Sequence, residues 1–353
     1  MITGRKTAGP GAGRRRLAQD RWLGFIGAAL ELEAEAHGGP DPADAPASAG
    51  DQTDVRRRRR APATIGEPIR RAEGDDKLGS SRWWTLPRIS ADGGSVGPLT
   101  VRAASVAGRQ HARGGGSRED ALAFRSTPDG VVVIATADGV GDTAAKYSAI
   151  GAHIASVLSC HLVHLWLTKP HPLNPIDPVD PVAACREIAR WMPELAERYV
   201  EEHFVPTRFA TTLTTSWIYP DGTYQGFKVG DGGVFELNRG ELSQLSSRYG
   251  GSYGRTAALP AGYAQATEFA GRLPPGGCLL LATDGLAEPL GSPDVAAALA
   301  AAWRQPPSVL DFLTDLSFER RGESDDRTAV CVWFDPERAG HPERAGQPER
   351  AGR

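Results

Sequence analysis

The sequence predicts an α+β fold, a four-layer α-β-β-α sandwich in which two mainly antiparallel sheets are flanked by helix pairs. Three observations point to it. Between residues 95 and 335, short apolar and β-branched segments recur in antiparallel runs joined by tight turns. Two stretches of helical period, each long enough for a pair of helices, interrupt those runs. The segments 131–138 (VVVIATAD) and 277–283 (GCLLLAT) are almost wholly apolar and need cover on both faces, which two packed sheets with helices outside provide.

Taken in order, 101–108 (VRAASVAG), 121–127 and 131–138 read as strands, the last a central one. The periodic stretch 143–167 reads as a helix, and the Pro-rich run 170–181 ends it. A second helix spans 182–204, with Pro193 as a candidate kink. Then come a strand at 210–219 (ATTLTTSWIY), a Pro220-Asp221-Gly222 turn and a strand at 223–230. A hairpin joins 234–237 to 241–245 around Asn238-Arg239-Gly240, and 277–283 is a buried strand. Helices at 293–303 and 308–318 precede a final strand at 328–334.

The flanks read differently. Residues 1–80 are rich in Gly, Pro, Ala, Asp and Arg and cannot bury enough surface to offset chain entropy. The exception is 21–36 (RWLGFIGAALELEAEA), a candidate amphipathic helix. The run Arg56–Arg60 reads as a solvated linker. Residues 336–353 repeat PERAG and have no apolar face, which fits a disordered tail.

Composition excludes several classes. A net charge of −3, from 40 Lys+Arg and 43 Asp+Glu, gives no basic footprint for nucleic acid. Cys160, Cys185, Cys278 and Cys331 form no CxxC pair and sit in apolar runs, as buried free thiols do in a reducing compartment. No run of ~18 apolar residues stands out and the N-terminus lacks a signal-peptide pattern, so the expectation is a cytoplasmic protein without a membrane partner.

Four acidic motifs fall at strand ends: 118–120 (RED), 137–142 (ADGVGD), 283–285 (TDG) and 324–328 (SDDRT). Two share one design, an apolar strand ending in Asp-Gly. The Asp projects past the last ladder bond, and the Gly lets the chain turn and frees its carbonyl. Hard divalent cations take oxygen ligands, so four such motifs point to one shared metal site.

With these motifs in view, the chain resembles the PPM (type 2C) metal-dependent Ser/Thr protein phosphatases, in their bacterial branch. The resemblance rests on REDA at 118–121, ADGVGDTAAKYSA at 137–149, ATTLT at 210–214, VGDGGVFELNRGELSQLS at 229–246, LLLATDGL at 279–286 and DDRTAVCV at 325–332. It implies two Mg²⁺ or Mn²⁺ ions. Asp138 would bridge both, with the Gly139 carbonyl beside it; Glu119 would hold the second ion, and Asp284 and Asp325 the first. Asp120 would contact metal-bound water. Asp326, where an Asn is common, would be structural, and Asp231 a turn residue. The implied activity is hydrolysis of phosphoserine and phosphothreonine on proteins by a metal-bridged hydroxide, opposing a cognate Ser/Thr kinase.

The chain also departs from that pattern. Where many members carry a phosphate-gripping Arg, it has Gly115. Arg118 or Arg113 would substitute, Arg118 being favoured by proximity, with a plain surface salt bridge as the alternative. Val140 stands where some members have a His. No third-metal Asp occurs in 203–208 (HFVPTR), and Glu201 and Glu202 read as a solvated helix face. His111 reads as a surface or packing residue. Residues 246–259 match a mobile flap in the family, where Arg248 and Arg255 would meet a phosphopeptide or line an ordinary surface loop. The alternative function is a catalytically weak binding module that recognises a phosphoprotein partner.

Overall fold

The computed structural model describes Ile65 and residues 86–114, 117–140, 146–168, 180–200, 203–246 and 256–340. The chain divides into two units, Met1–Arg59 and Arg60–Arg353, and every element below belongs to the second. The candidate helix at 21–36, the Arg56–Arg60 run, most of the Pro-rich segment, Glu201, Glu202, Arg248, Arg255 and residues 341–353 lie outside the described residues.

One sheet has six strands in the order β1 (Ile89–Val96), β2 (Leu99–Val106), β11 (Arg327–Phe334), β10 (Cys278–Ala282), β7 (Gly233–Asn238) and β8 (Glu241–Gln244). The other has five: β3 (Ala121–Ser126), β4 (Val132–Ala137), β5 (Leu213–Ile218), β6 (Thr223–Val229) and β9 (Thr267–Arg272). All pairings are antiparallel. The sheets face one another through β2, β10 and β11 on one side and β3 and β4 on the other. Leu99, Val101, Val132, Ile134, Leu281 and Val332 fill the space between them.

Helices complete the four layers. Helix α2 (Ser148–Thr168) lies on β3, β4 and β5, and α3 (Pro181–Tyr199) packs on α2 and reaches β6 and β9. Asp180 caps α3 by accepting the Ala183 amide at 3.0 Å, with Pro181 opening the first turn. The helix runs on through Pro193 to Tyr199. Beyond the six-stranded sheet, α5 (Pro293–Ala302) meets β8, and α6 (Val309–Leu316) covers β1, β2 and β11. Two shorter helices, α1 (Arg109–Gly114) and α4 (Asp284–Ala287), flank the acidic motifs.

The structure differs from the sequence expectation in five places. Residues 336–340, expected within a disordered tail, form a 3₁₀ turn, and Arg338 Nη1 donates to Thr100 Oγ1 at 3.0 Å. Strand β1 (ISADGGSV) was hidden by its paired glycines and Asp92, and it begins before residue 95. It is an edge strand that takes its register from β2. The edge strand β9 (TEFAGR) is mostly exposed, so it carries no apolar signal. Helix α2 is, by length and composition, apolar enough to cross a membrane, with a mean hydropathy of 1.5, contrary to the expectation that no such stretch exists. Most of its side chains are buried, however, between the five-stranded sheet and α3, as an all-round apolar helix requires. Finally, Ile65, inside the segment expected to supply no core, is buried among Phe318, Leu316 and their neighbours, and its amide donates to the Glu319 carbonyl at 3.2 Å.

Candidate metal centre

The sheet register gathers the acids at one end of the sandwich. Ala121 pairs with Ala137 across β3 and β4, so Asp120, just before β3, and Asp138, just after β4, are neighbours. Ala282 pairs with Ala329 across β10 and β11, which brings Asp284 and Asp325 to the corresponding end of the other sheet. Packing sheet on sheet then joins the two pairs. The Asp138 carboxyl comes within hydrogen-bonding reach of both Asp120 and Asp284. Asp325 and Asp231 act on Asp284 through space.

These carboxyls are electrostatically crowded. Burial, then Asp120 and Asp284, push Asp138 well above the usual carboxylate range. Burial and Asp326 raise Asp120 to about 7. Burial, Asp325 and Asp231 raise Asp284 to about 6. Burial also raises Glu119, opposed by the Ser148 hydroxyl, which donates to Glu119 Oε2 at 2.8 Å, and by His111. Among the described residues no three acidic, His or Cys side chains form a ready-made cage. The donor set is all oxygen and deficient in positive charge, so it fits a hard divalent cation.

Polar neighbours hold the acids in place. Thr283 Oγ1 donates to Asp120 Oδ2 at 2.7 Å, and Thr328 also bonds Asp120. The Asp138 amide donates to Thr212 Oγ1 at 3.1 Å, while its carbonyl accepts from the Thr212 amide at 2.8 Å and Thr211 Oγ1 at 2.9 Å. Both Asp-Gly glycines are needed for close approach, and neither has a positive φ. A Cβ on Gly139 would lie 2.8 Å from Ser148, and one on Gly285 would lie 2.0 Å from the Asp326 carbonyl.

Glu119, Asp120, Asp138, Gly139, Asp284 and Asp325 therefore meet at one end of the sandwich. Asp326 is buried among hydrogen-bond donors, and Asp231 accepts from Thr256 Oγ1 at 2.7 Å. Arg118 does not sit where a phosphate grip needs to be. It is 3% exposed, one guanidinium nitrogen donates to the Ser105 carbonyl at 3.3 Å, and Nε has no partner. Burial lowers its pKa to about 10, against the pull of Asp120 and Asp326. Alternation along the chain entering β3 turns Arg118 inward with Asp120, while half-buried Glu119 faces the site. Gly115 and the side chain of Arg113 lie outside the described residues.

The sequence reading missed the hydroxyl collar, Ser148, Thr211, Thr212, Thr283 and Thr328, although each belongs to a motif that reading quotes. It also missed His111, whose Nδ1 is 3.0 Å from Asp326 Oδ1 and whose Nε2 is 3.7 Å from Glu119 Oε1. A cleft of about 180 Å³ opens beside Asp325, walled by Gly108, Arg109, Phe318, Glu319 and Arg327.

The family model described as Protein phosphatase 2C matches residues 107–314, more than half of the chain. No curated protein matches. Among solved structures, RsbX in complex with magnesium is similar at 12% identity, spanning 70% of this chain and 100% of that one, with a TM-score of 0.46. The S. agalactiae serine/threonine phosphatase is similar at 20% identity over 67% of this chain and 100% of that one, with a TM-score of 0.47. The Mycobacterium tuberculosis serine/threonine phosphatase PstP/Ppp is similar at 20% identity over 67% and 99%, with a TM-score of 0.41.

Proposed function

Because the chain belongs to the protein phosphatase 2C family, we propose that it hydrolyses phosphoserine and phosphothreonine on proteins at the strand-end carboxylates, with two Mg²⁺ or Mn²⁺ ions as cofactors. One observation carries the reading: Asp138 meets Asp120 and Asp284, each from a different strand end, in surroundings that disfavour their charge. Folding alone gains nothing from such a cluster. A divalent cation supplies the missing positive charge. Glu119, Asp138, Asp284 and Asp325, with the Gly139 carbonyl, would hold the ions. Bound there, they would supply Lewis-acid charge to phosphoryl oxygens and make water acidic enough to act as a nucleophile at neutral pH.

The chain's own part is positioning. Thr211 and Thr212 fix the Asp138 main chain without neutralising its carboxyl. Ser148 orients Glu119 through Oε2, leaving Oε1 for another partner. Asp120 stays hydrogen-bonded to Thr283 and close to the reacting region. Val140 follows Asp138-Gly139 with no group that transfers protons, so protonation of the seryl or threonyl leaving oxygen falls to water. The substrate is a phosphoprotein made by a Ser/Thr kinase, and the protein acts in the cytoplasm, where Cys160, Cys185, Cys278 and Cys331, all free and buried, stay reduced.

Burial of Arg118 favours one second reading, a phosphatase-fold module that binds a phosphoprotein with little turnover. Phosphate release from a phosphothreonine peptide by the full chain, with Mn²⁺ and with EDTA, separates the two. Release with Mn²⁺ and none in EDTA supports the phosphatase. Release indifferent to EDTA overturns the role of the cations, and Mn²⁺ binding without turnover supports the binding module.

A further inference from the structure

We propose that Asp326 and His111 form one positioning device for the metal ligands: Asp326 fixes Glu119 and Asp325, and His111 locks Asp326. The inference rests on the cation-binding reading above. Residue 326 bonds two candidate ligands at once. Its Oδ2 accepts the Glu119 amide at 2.6 Å, and its own amide donates to Asp325 Oδ1 at 2.9 Å. Its Oδ1 accepts both the Gly108 amide at 2.6 Å and His111 Nδ1 at 3.0 Å. The side chain is 2% exposed, so water does not stand in for a missing donor.

An aspartate, and not an asparagine, suits this place. Both oxygens act as acceptors, one for Glu119 and one for Gly108 and His111. An Asn would turn an NH₂ group against one of those N–H donors. An ionised carboxylate only accepts, so His111 Nδ1 carries the donated proton. His111 sits on α1, and the Gly108 amide just before that helix binds the same carboxylate. Asp326 thereby ties α1, the entry to β3 and the entry to β11 together, and His111 Nε2 faces Glu119 Oε1 at 3.7 Å. Groups that orient ligands in this way set metal affinity without touching the metal.

The test is Mn²⁺ affinity by titration calorimetry on the full chain, comparing wild type, Asp326→Asn, His111→Ala, His111→Asn and the Asp326→Asn/His111→Ala double variant. Asp326→Asn should bind Mn²⁺ roughly tenfold to hundredfold more weakly while keeping a native circular dichroism spectrum. His111→Ala should show a smaller loss. His111→Asn should recover most of that loss, since its amide nitrogen can take the place of Nδ1, a rescue that a packing role would not produce. The double variant should be no weaker than Asp326→Asn alone, as expected for residues acting as one unit. Wild-type affinity in a folded Asp326→Asn variant would overturn the proposal, as would a His111→Asn no better than His111→Ala. If Asp326→Asn does not fold, the half-buried His111 pair still decides. Wild type that binds no Mn²⁺ would overturn the underlying metal reading as well, a result distinct from wild type and Asp326→Asn binding equally.

Discussion

The same strands build two regions of opposite character. Between the sheets, Ile134 on β4, Leu281 on β10 and Val332 on β11 are fully buried among other apolar side chains. A few residues further along or before, the same three strands lead to Asp138, Asp284 and Asp325. In the first region each side chain gains from leaving water. In the second, burial and mutual repulsion work against the charges. The rigid core thus holds in register a group of acids that would not assemble by themselves. The two regions should respond to substitution in opposite ways.

The largest expected effect lies at the acidic end. Asp138→Asn should reduce phosphate release from a phosphothreonine peptide to background, because it removes the carboxylate that on the proposed reading would serve both ions. An active Asp138→Asn would break the comparison at once. At the apolar end, Ile134→Ala should lower unfolding free energy by roughly 2–5 kcal/mol, read from urea denaturation, and leave the Mn²⁺ response intact.

A smaller effect sharpens the contrast through pH. In EDTA, Asp120, raised to about 7, and Asp284, raised to about 6, both lie above their ordinary value of 3.8. A carboxyl raised on folding contributes stability that is fully present below its unfolded pKa and is lost as pH rises through its folded one. The urea midpoint of the metal-free protein should therefore fall between about pH 4 and pH 7. The fall should be shallower in Asp138→Asn, which has one carboxylate fewer to repel the others. A midpoint that rises over this range would mean the acids are not crowded. The smallest effect concerns the N-terminal segment. Removing residues 1–60 should leave the core intact, whereas removing 1–80 takes away Ile65 and should cost about 1–2 kcal/mol.

The acidic region was more legible in the sequence than much of the fold around it. Asp138 and Asp284 each follow an apolar strand and precede a glycine, a local pattern that reads without any partner. Glu119 and Asp325 instead sit just before strands, each followed by a second acid. What the sequence hid depends on residues far apart. His111 acquires its role from Asp326, 215 positions away. Arg118 lies buried with a guanidinium nitrogen donating to the Ser105 carbonyl and with Asp326, 208 positions away, acting on its charge, neither of which local sequence announces. The edge strands β1 and β9 are polar or glycine-rich because only one side of each is paired, so alternation and apolar content both fail there. Conversely, α2 looked less apolar than it is because His153, His161 and His164 interrupt the run; His161 Nδ1 is 2.7 Å from Arg125.

The most direct test of the central claim, that the strand-end carboxylates hold divalent cations, is the melting temperature of wild type and Asp138→Asn with Mn²⁺ and with EDTA. A ligand that binds only the native state stabilises it by about 2.7 kcal/mol at a hundredfold excess over Kd. Mn²⁺ should accordingly raise the melting temperature of wild type clearly, and that of Asp138→Asn much less, while in EDTA the variant melts at or above wild type. Equal Mn²⁺-induced shifts in the two proteins would contradict the account and place the cation elsewhere.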